Sequence, residues 1–207
     1  MNKKKLLTLI GCLALVGMIG VGATLAYMTD SDDAQNVITM GHVDIELDEP
    51  NYKPNKPTDK GGEITNVKPG DTIVKDPTIT VGADSEDTYL RVKLDVKIEG
   101  LKTSANVKEE AYIQEIINSM NINSNDWELK GGYYYYIGTL HDNQSGVLKA
   151  KDEVRLFEEV IIPAEWGNEI ANAKININVN AEAVQVANFK LSEDGTWPQV
   201  EIEKYIK

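Results

Sequence analysis

Residues 89–98 read YLRVKLDVKI. Leu90, Val92, Leu94, Val96 and Ile98 alternate with Tyr89, Arg91, Lys93, Asp95 and Lys97, a two-residue period that sends apolar and polar side chains to opposite faces of a strand. One of those faces has to pack on a core. Residues 174–186, KININVNAEAVQV, repeat the pattern, with Ile175, Ile177, Val179 and Ala181 on one face and Asn176, Asn178 and Asn180 on the other. Nearer the N-terminus, Val43, Ile45 and Leu47 alternate with Asp44 and Glu46, and EVRLFEEVIIP reads as a strand stopped by Pro163. DWELKGGYYYYIGTL predicts a hairpin that turns near Gly131 and Gly132. Lys68, Pro69, Gly70 and Asp71 place Pro and Gly in the order of a type II turn. The period lengthens clearly in one place: Ile113, Ile116, Ile117 and Met120 fall at i, i+3, i+4 and i+7, a helix of about three to four turns. Glu109 and Glu110 sit in its first turn, where the helix dipole favours acids. The pattern as a whole predicts a mainly β chain, an antiparallel jelly-roll-like sandwich of about 7–8 strands with one inserted helix.

The chain has 207 residues and opens MNKKKLLTLIGCLALVGMIGVGATLA. Lys3, Lys4 and Lys5 precede an uncharged apolar run, and Thr24-Leu25-Ala26 offers the small residues that a signal peptidase reads. Cleavage is expected between Ala26 and Tyr27. A lipoprotein-like box ends at Cys12, but the apolar stretch before it is short and the run continues past it, which suits a secretory leader better. The organisation expected is a signal peptide over 1–26, a mature N-terminal segment over 27–48, a loop or linker over 49–62 (EPNYKPNKPTDKGG), and a jelly-roll-like domain over 63–207. Residues 27–35, YMTDSDDAQ, read as a flexible terminus.

Cys12 is the sole cysteine, so a mature chain without the leader has no disulfide and no thiol chemistry. The formal net charge is −12, and loss of the leader removes three lysines and no acid. Such a chain repels nucleic acid and anionic membrane surfaces. No second apolar run reaches membrane length. His42 and His141 belong to no HExxH pattern, and neither GxSxG nor the phosphate-cradling GxxxxGK[ST] occurs. The sequence therefore predicts no catalytic residues, no cofactor and no metal site. The tyrosine run 133–136 has two readings: a sugar-stacking platform, or a strand with tyrosines on both faces and hydroxyls in water.

Three pieces together resemble the TasA/camelysin group of Gram-positive secreted proteins: GATLAYMTDSDDAQNVITMGHVDIEL, NVKPGDTIVKDPTITV followed by YLRVKLDVKI, and LFEEVIIPAEW with ININVNAEAVQVANF. The resemblance implies export with a leader cut by a dedicated signal peptidase and a jelly-roll domain. For the TasA branch it implies extracellular biofilm fibres in which the mature N-terminal segment completes the sheet of a neighbour. The matching donor strand here carries Val43, Ile45 and Leu47, and the implied partners are further copies or related matrix proteins. The middle of the chain departs from TasA. The camelysin branch has been described as a metalloprotease, for which this sequence shows no ligand motif. A secreted structural protein is the leading expectation; a camelysin-like protease and a monomeric carbohydrate-binding module are the alternatives.

Overall fold

The computed structural model describes residues 29–32, 42–58, 61–102, 108–141 and 144–197. In chain order its strands are β1 (Thr29–Asp32), β2 (Ile45–Asp48), β3 (Lys56–Thr58), β4 (Gly61–Glu63), β5 (Thr72–Val74), β6 (Thr78–Val81), β7 (Thr88–Glu99), β8 (Trp127–Lys130), β9 (Tyr133–Tyr136), β10 (Val147–Leu148), β11 (Glu153–Arg155), β12 (Glu159–Ile161) and β13 (Lys174–Gln185). The helix α1 (Glu109–Ser119) lies between β7 and β8. The chain is mainly β, its sheets are antiparallel, and α1 is the one α-helix among the described residues.

The twelve-residue strands β7 and β13 pair along their whole length, from Lys174 opposite Glu99 to Gln185 opposite Thr88. They form the spine of a six-stranded sheet ordered β1-β13-β7-β9-β8, with β10 also on β7. A three-stranded sheet, β11-β6-β2, and the pair β12-β5 supply the opposing surfaces. Leu90, Val92, Val96, Ile98, Ala181 and Ala183 from the large sheet share one core with Ile45, Ile79, Val81 and Val160 from the smaller ones. Helix α1 adds Ile116, which with Met120 just beyond its C-terminus is closed off from solvent. The alternation in residues 89–98 and 174–186 is what drives this arrangement, since burying each such aliphatic side chain contributes about 1.5–3 kcal/mol.

Thirteen strands, most of them short, appear among the described residues where about seven or eight were expected. Two of the additions fall on segments that looked irregular in sequence. Residues 29–32 of the expected flexible terminus pair with β13, Thr29 opposite Val184 and Asp32 opposite Ala181. Inside the expected linker, β3 and β4 form a small hairpin, tied by the Tyr52 hydroxyl donating to the Gly62 carbonyl at 2.9 Å and by Asn55 bonding Thr65. Backbone pairing holds both segments, local side-chain bonds add to it in the β3–β4 hairpin, and neither segment depends on apolar periodicity.

The polar face of β7 also differs from expectation. Arg91, on the face opposite the aliphatic residues, is buried as well. The C-terminal stretch folds over that face, and Tyr135, Val184 and Trp197 form a second, smaller core there with Tyr89, Tyr133 and Phe189 packed against it. The Arg91 guanidinium lies between two rings, 4.0 Å from the Tyr133 centroid and 4.3 Å from that of Trp197. Its Nε donates to Glu182 at 2.7 Å, so the buried charge is both paired and stacked.

Candidate functional site

Ile45 and Leu47 lie on β2, the edge strand of the three-stranded sheet, and Val43 stands just before it. β2 pairs with β6 of the same chain, Ile45 opposite Val81 and Leu47 opposite Ile79. Val43 and Ile45 are buried and Leu47 half-buried, while Asp44, Glu46 and Asp48 are exposed. Within one chain the candidate donor strand thus completes its own sandwich. An acid placed at Val43 or Ile45 would bury an uncompensated charge and unfold the monomer, so the outward positions are the ones available for probing assembly.

The segment on the C-terminal side of β2 is fastened. Asp76, almost fully buried, accepts from the Asn51 backbone N–H at 3.0 Å and from its side-chain amide at 2.7 Å. Lys75 pairs with Glu49 and lies 5.0 Å from the Tyr52 ring centroid. On the N-terminal side of β2 the chain is fixed at His42, whose carbonyl accepts from Glu86 N–H at 2.9 Å. β1 and β2 lie in contact, one on the edge of the large sheet and the other on the edge of the small one. The cleavage positions Ala26 and Tyr27 lie outside the described residues.

Lys68–Asp71 forms a closed turn: Asp71 N–H donates to the Lys68 carbonyl at 3.0 Å, and the Asp71 carboxylate accepts from Lys68 N–H at 2.7 Å. Gly70 takes φ +87°, the left-handed value that the third position of a type II turn demands. Gly70 N–H donates to Ile162 at 2.8 Å, and Ile162 N–H donates to Asp71 at 2.9 Å. The turn therefore seats β5 against β12.

The tyrosine strand divides between the two cores. Tyr134 and Tyr136 pack on the main one, Tyr133 and Tyr135 on the smaller one. Tyr135 and Tyr136 are buried, so their hydroxyls do not stand in water. The Tyr135 hydroxyl accepts from Arg91 and from Trp197 N–H, each at 3.4 Å. Burial, with the nearby Asp126 and Asp152 carboxylates adding to it, pushes the Tyr136 phenol up to about 12. Gly131 and Gly132 both take positive φ, 57° and 84°, which the tight hairpin turn requires.

Sequence reasoning missed an open cleft between α1 and residues 165–169, lined by Tyr112, Glu115, Glu165, Trp166 and Glu169. Its carboxylates at 115 and 169 are already engaged. Glu115 accepts from Trp166 Nε1 at 2.5 Å, and Glu169 accepts from Gly167 N–H at 2.6 Å and from the Tyr112 hydroxyl at 3.2 Å. The Gly167 N–H is the main reason the Glu169 carboxyl is held below the usual range. Only the fold brings these residues together, from segments about fifty positions apart in the chain.

The family described as camelysin metallo-endopeptidase matches the chain over residues 1–155. The chain belongs to that family. No curated protein matches it. The camelysin name implies a metal, and a catalytic zinc takes three protein ligands from His, Cys, Asp or Glu. Among the described residues no three such side chains stand close enough to hold one. His141 Nε2 instead pairs with Asp152 at 2.6 Å, and that carboxylate also accepts from Lys149 N–H at 2.7 Å. His42 is exposed. The described residues of this camelysin-family chain therefore do not fit a catalytic metal. Also among the described residues, no helix is long and apolar enough to cross a membrane.

Proposed function

We propose that this camelysin-family chain is a secreted structural protein, a subunit or accessory of extracellular fibres of the matrix or cell surface, and that it assembles through its N-terminal strands. The observation that carries the reading is the placement of β1 and β2. The first two strands among the described residues are edge strands of two different sheets, and β2 with the residues just before it brings Val43 and Ile45 into the core. A strand at a sheet edge can leave and be replaced by the identical strand of a second copy with every native contact kept. Closed monomer and exchanged polymer then differ mainly in hinge strain and concentration rather than in contacts.

Export by the leader, a mature chain without cysteine and a strongly acidic surface all suit an extracellular role. Metalloprotease activity, which the family name suggests, has no support in the donor sets of the described residues. The test is electron microscopy with light scattering on purified chain starting at Tyr27, beside a casein-cleavage assay with and without EDTA. The reading expects fibres, or co-assembly with fibres of a related protein, and no cleavage. A chain that stays monomeric and cleaves casein in an EDTA-sensitive way would overturn it.

A further inference from the structure

The chain leaves β13 through a short 3-10 turn, Val186–Asn188, and residues 189–197 then cross the outer face of the large sheet as a strap. Trp197 is buried, whereas none of residues 190–196 is. Its ring meets Phe189 and Tyr135 edge-on, centroids 5.6 Å and 6.3 Å away, and lies 4.3 Å from the Arg91 guanidinium. The middle of the strap curls on itself, Ser192 N–H donating to the Thr196 carbonyl at 2.8 Å. One tether fixes it from outside: Lys130 Nζ donates to the Asp194 carbonyl at 2.6 Å.

The stretch of β13 beneath this strap is the stretch that holds β1. In the β1–β13 ladder, position 29 stands opposite Val184 and position 31 opposite Glu182. Val184 is closed off from solvent in the core that Trp197 completes. The Glu182 carboxylate accepts from Arg91, and Trp197 covers that guanidinium. β1 is a four-residue strand paired with β13 alone among the described residues. Ladder bonds at such an edge are strong where water is kept away and weak where it competes. Lifting Trp197 bares Val184 and hydrates the Arg91–Glu182 pair, which opens the outer side of this short ladder to water. β13 itself keeps its twelve-residue ladder with β7, so the loss falls on β1.

We propose that the strap 189–197 is a latch: Trp197, seated against Arg91 and Val184, keeps β1 on the β13 of its own chain, and release of the strap frees β1 for a second copy. The latch is a local coupling between the two ends of one chain. Its link to assembly rests on the reading that the N-terminal strands exchange, whereas its hold on β1 does not.

The experiment is amide hydrogen exchange by NMR on the mature chain at low concentration, with light scattering at higher concentration. Trp197→Ala is expected to speed exchange of the hydrogen-bonded amides over 29–32 on the order of tenfold. Trp197→Phe, which keeps a ring against Arg91, is expected to restore most of the protection. Lys130→Met removes the tether and leaves the small core intact, so β1 is expected to exchange faster by a smaller factor at an unchanged melting temperature. The lag before assembly is expected to shorten in the same order. The latch is overturned if β1 amides are unprotected in the wild type, or if Trp197→Ala speeds core amides and leaves those of β1 unchanged. Faster β1 exchange with an unaltered lag would support the latch and contradict exchange of β1 between copies.

Discussion

Tyr136 packs its ring edge-on against Trp127, centroids 5.4 Å apart, with its hydroxyl in the interior beside two carboxylates. Its phenol is pushed up to about 12, against an ordinary value of 10.0. The folded state therefore holds the proton more tightly than the unfolded chain, so this contribution to stability is intact below pH 10 and is lost as pH rises towards 12. Alkaline unfolding, measured by circular dichroism together with tyrosinate absorbance, is expected to coincide with ionisation of this phenol. Tyr136→Phe is expected to move the alkaline midpoint upward, and an unchanged midpoint would show that another group governs it. Little of this was legible in the run of four tyrosines. The alternation places 134 and 136 on one face and 133 and 135 on the other, but only the folded tail, through Trp197, decides that both faces are covered. Arg91 is a parallel case, because its burial depends on a segment about a hundred positions away.

At the scale of elements, β7, β13, α1 and the hairpin β8–β9 were readable from period and turn chemistry, since each buries a regular stripe or face. β1 and the hairpin β3–β4 were not. Their sequences are polar, and they are held by backbone ladders whose partners no local pattern reveals. The fastening after β2 is equally illegible, because Asn51 and Asp76 lie 25 positions apart. That fastening has a kinetic consequence if β2 exchanges between copies. Removing the Asp76 carboxylate by Asp76→Ala is expected to cost about 1.5–3 kcal/mol in equilibrium unfolding, since it leaves the Asn51 donors without their charged acceptor. The same change is expected to shorten the lag before assembly in light scattering. Lower stability with an unaltered lag would place the hinge elsewhere.

For the whole molecule, a mainly β camelysin-family fold closes its sandwich with β1 and β2, the first two strands among the described residues, and the proposed role turns on whether those strands stay at home. The outward pair Glu46 and Thr80 stand directly opposite on β2 and β6, at a separation that suits a disulfide across antiparallel strands. The mature chain contributes no cysteine of its own. The most direct measurement is therefore a non-reducing gel of fibres assembled from mature Glu46→Cys, Thr80→Cys protein and then oxidised. Exchange of the N-terminal strands predicts a covalent ladder of multimers that collapses to monomer on reduction. Fibres that yield only internally bridged monomer, or a chain that forms no fibres alone or with related matrix proteins, would contradict it.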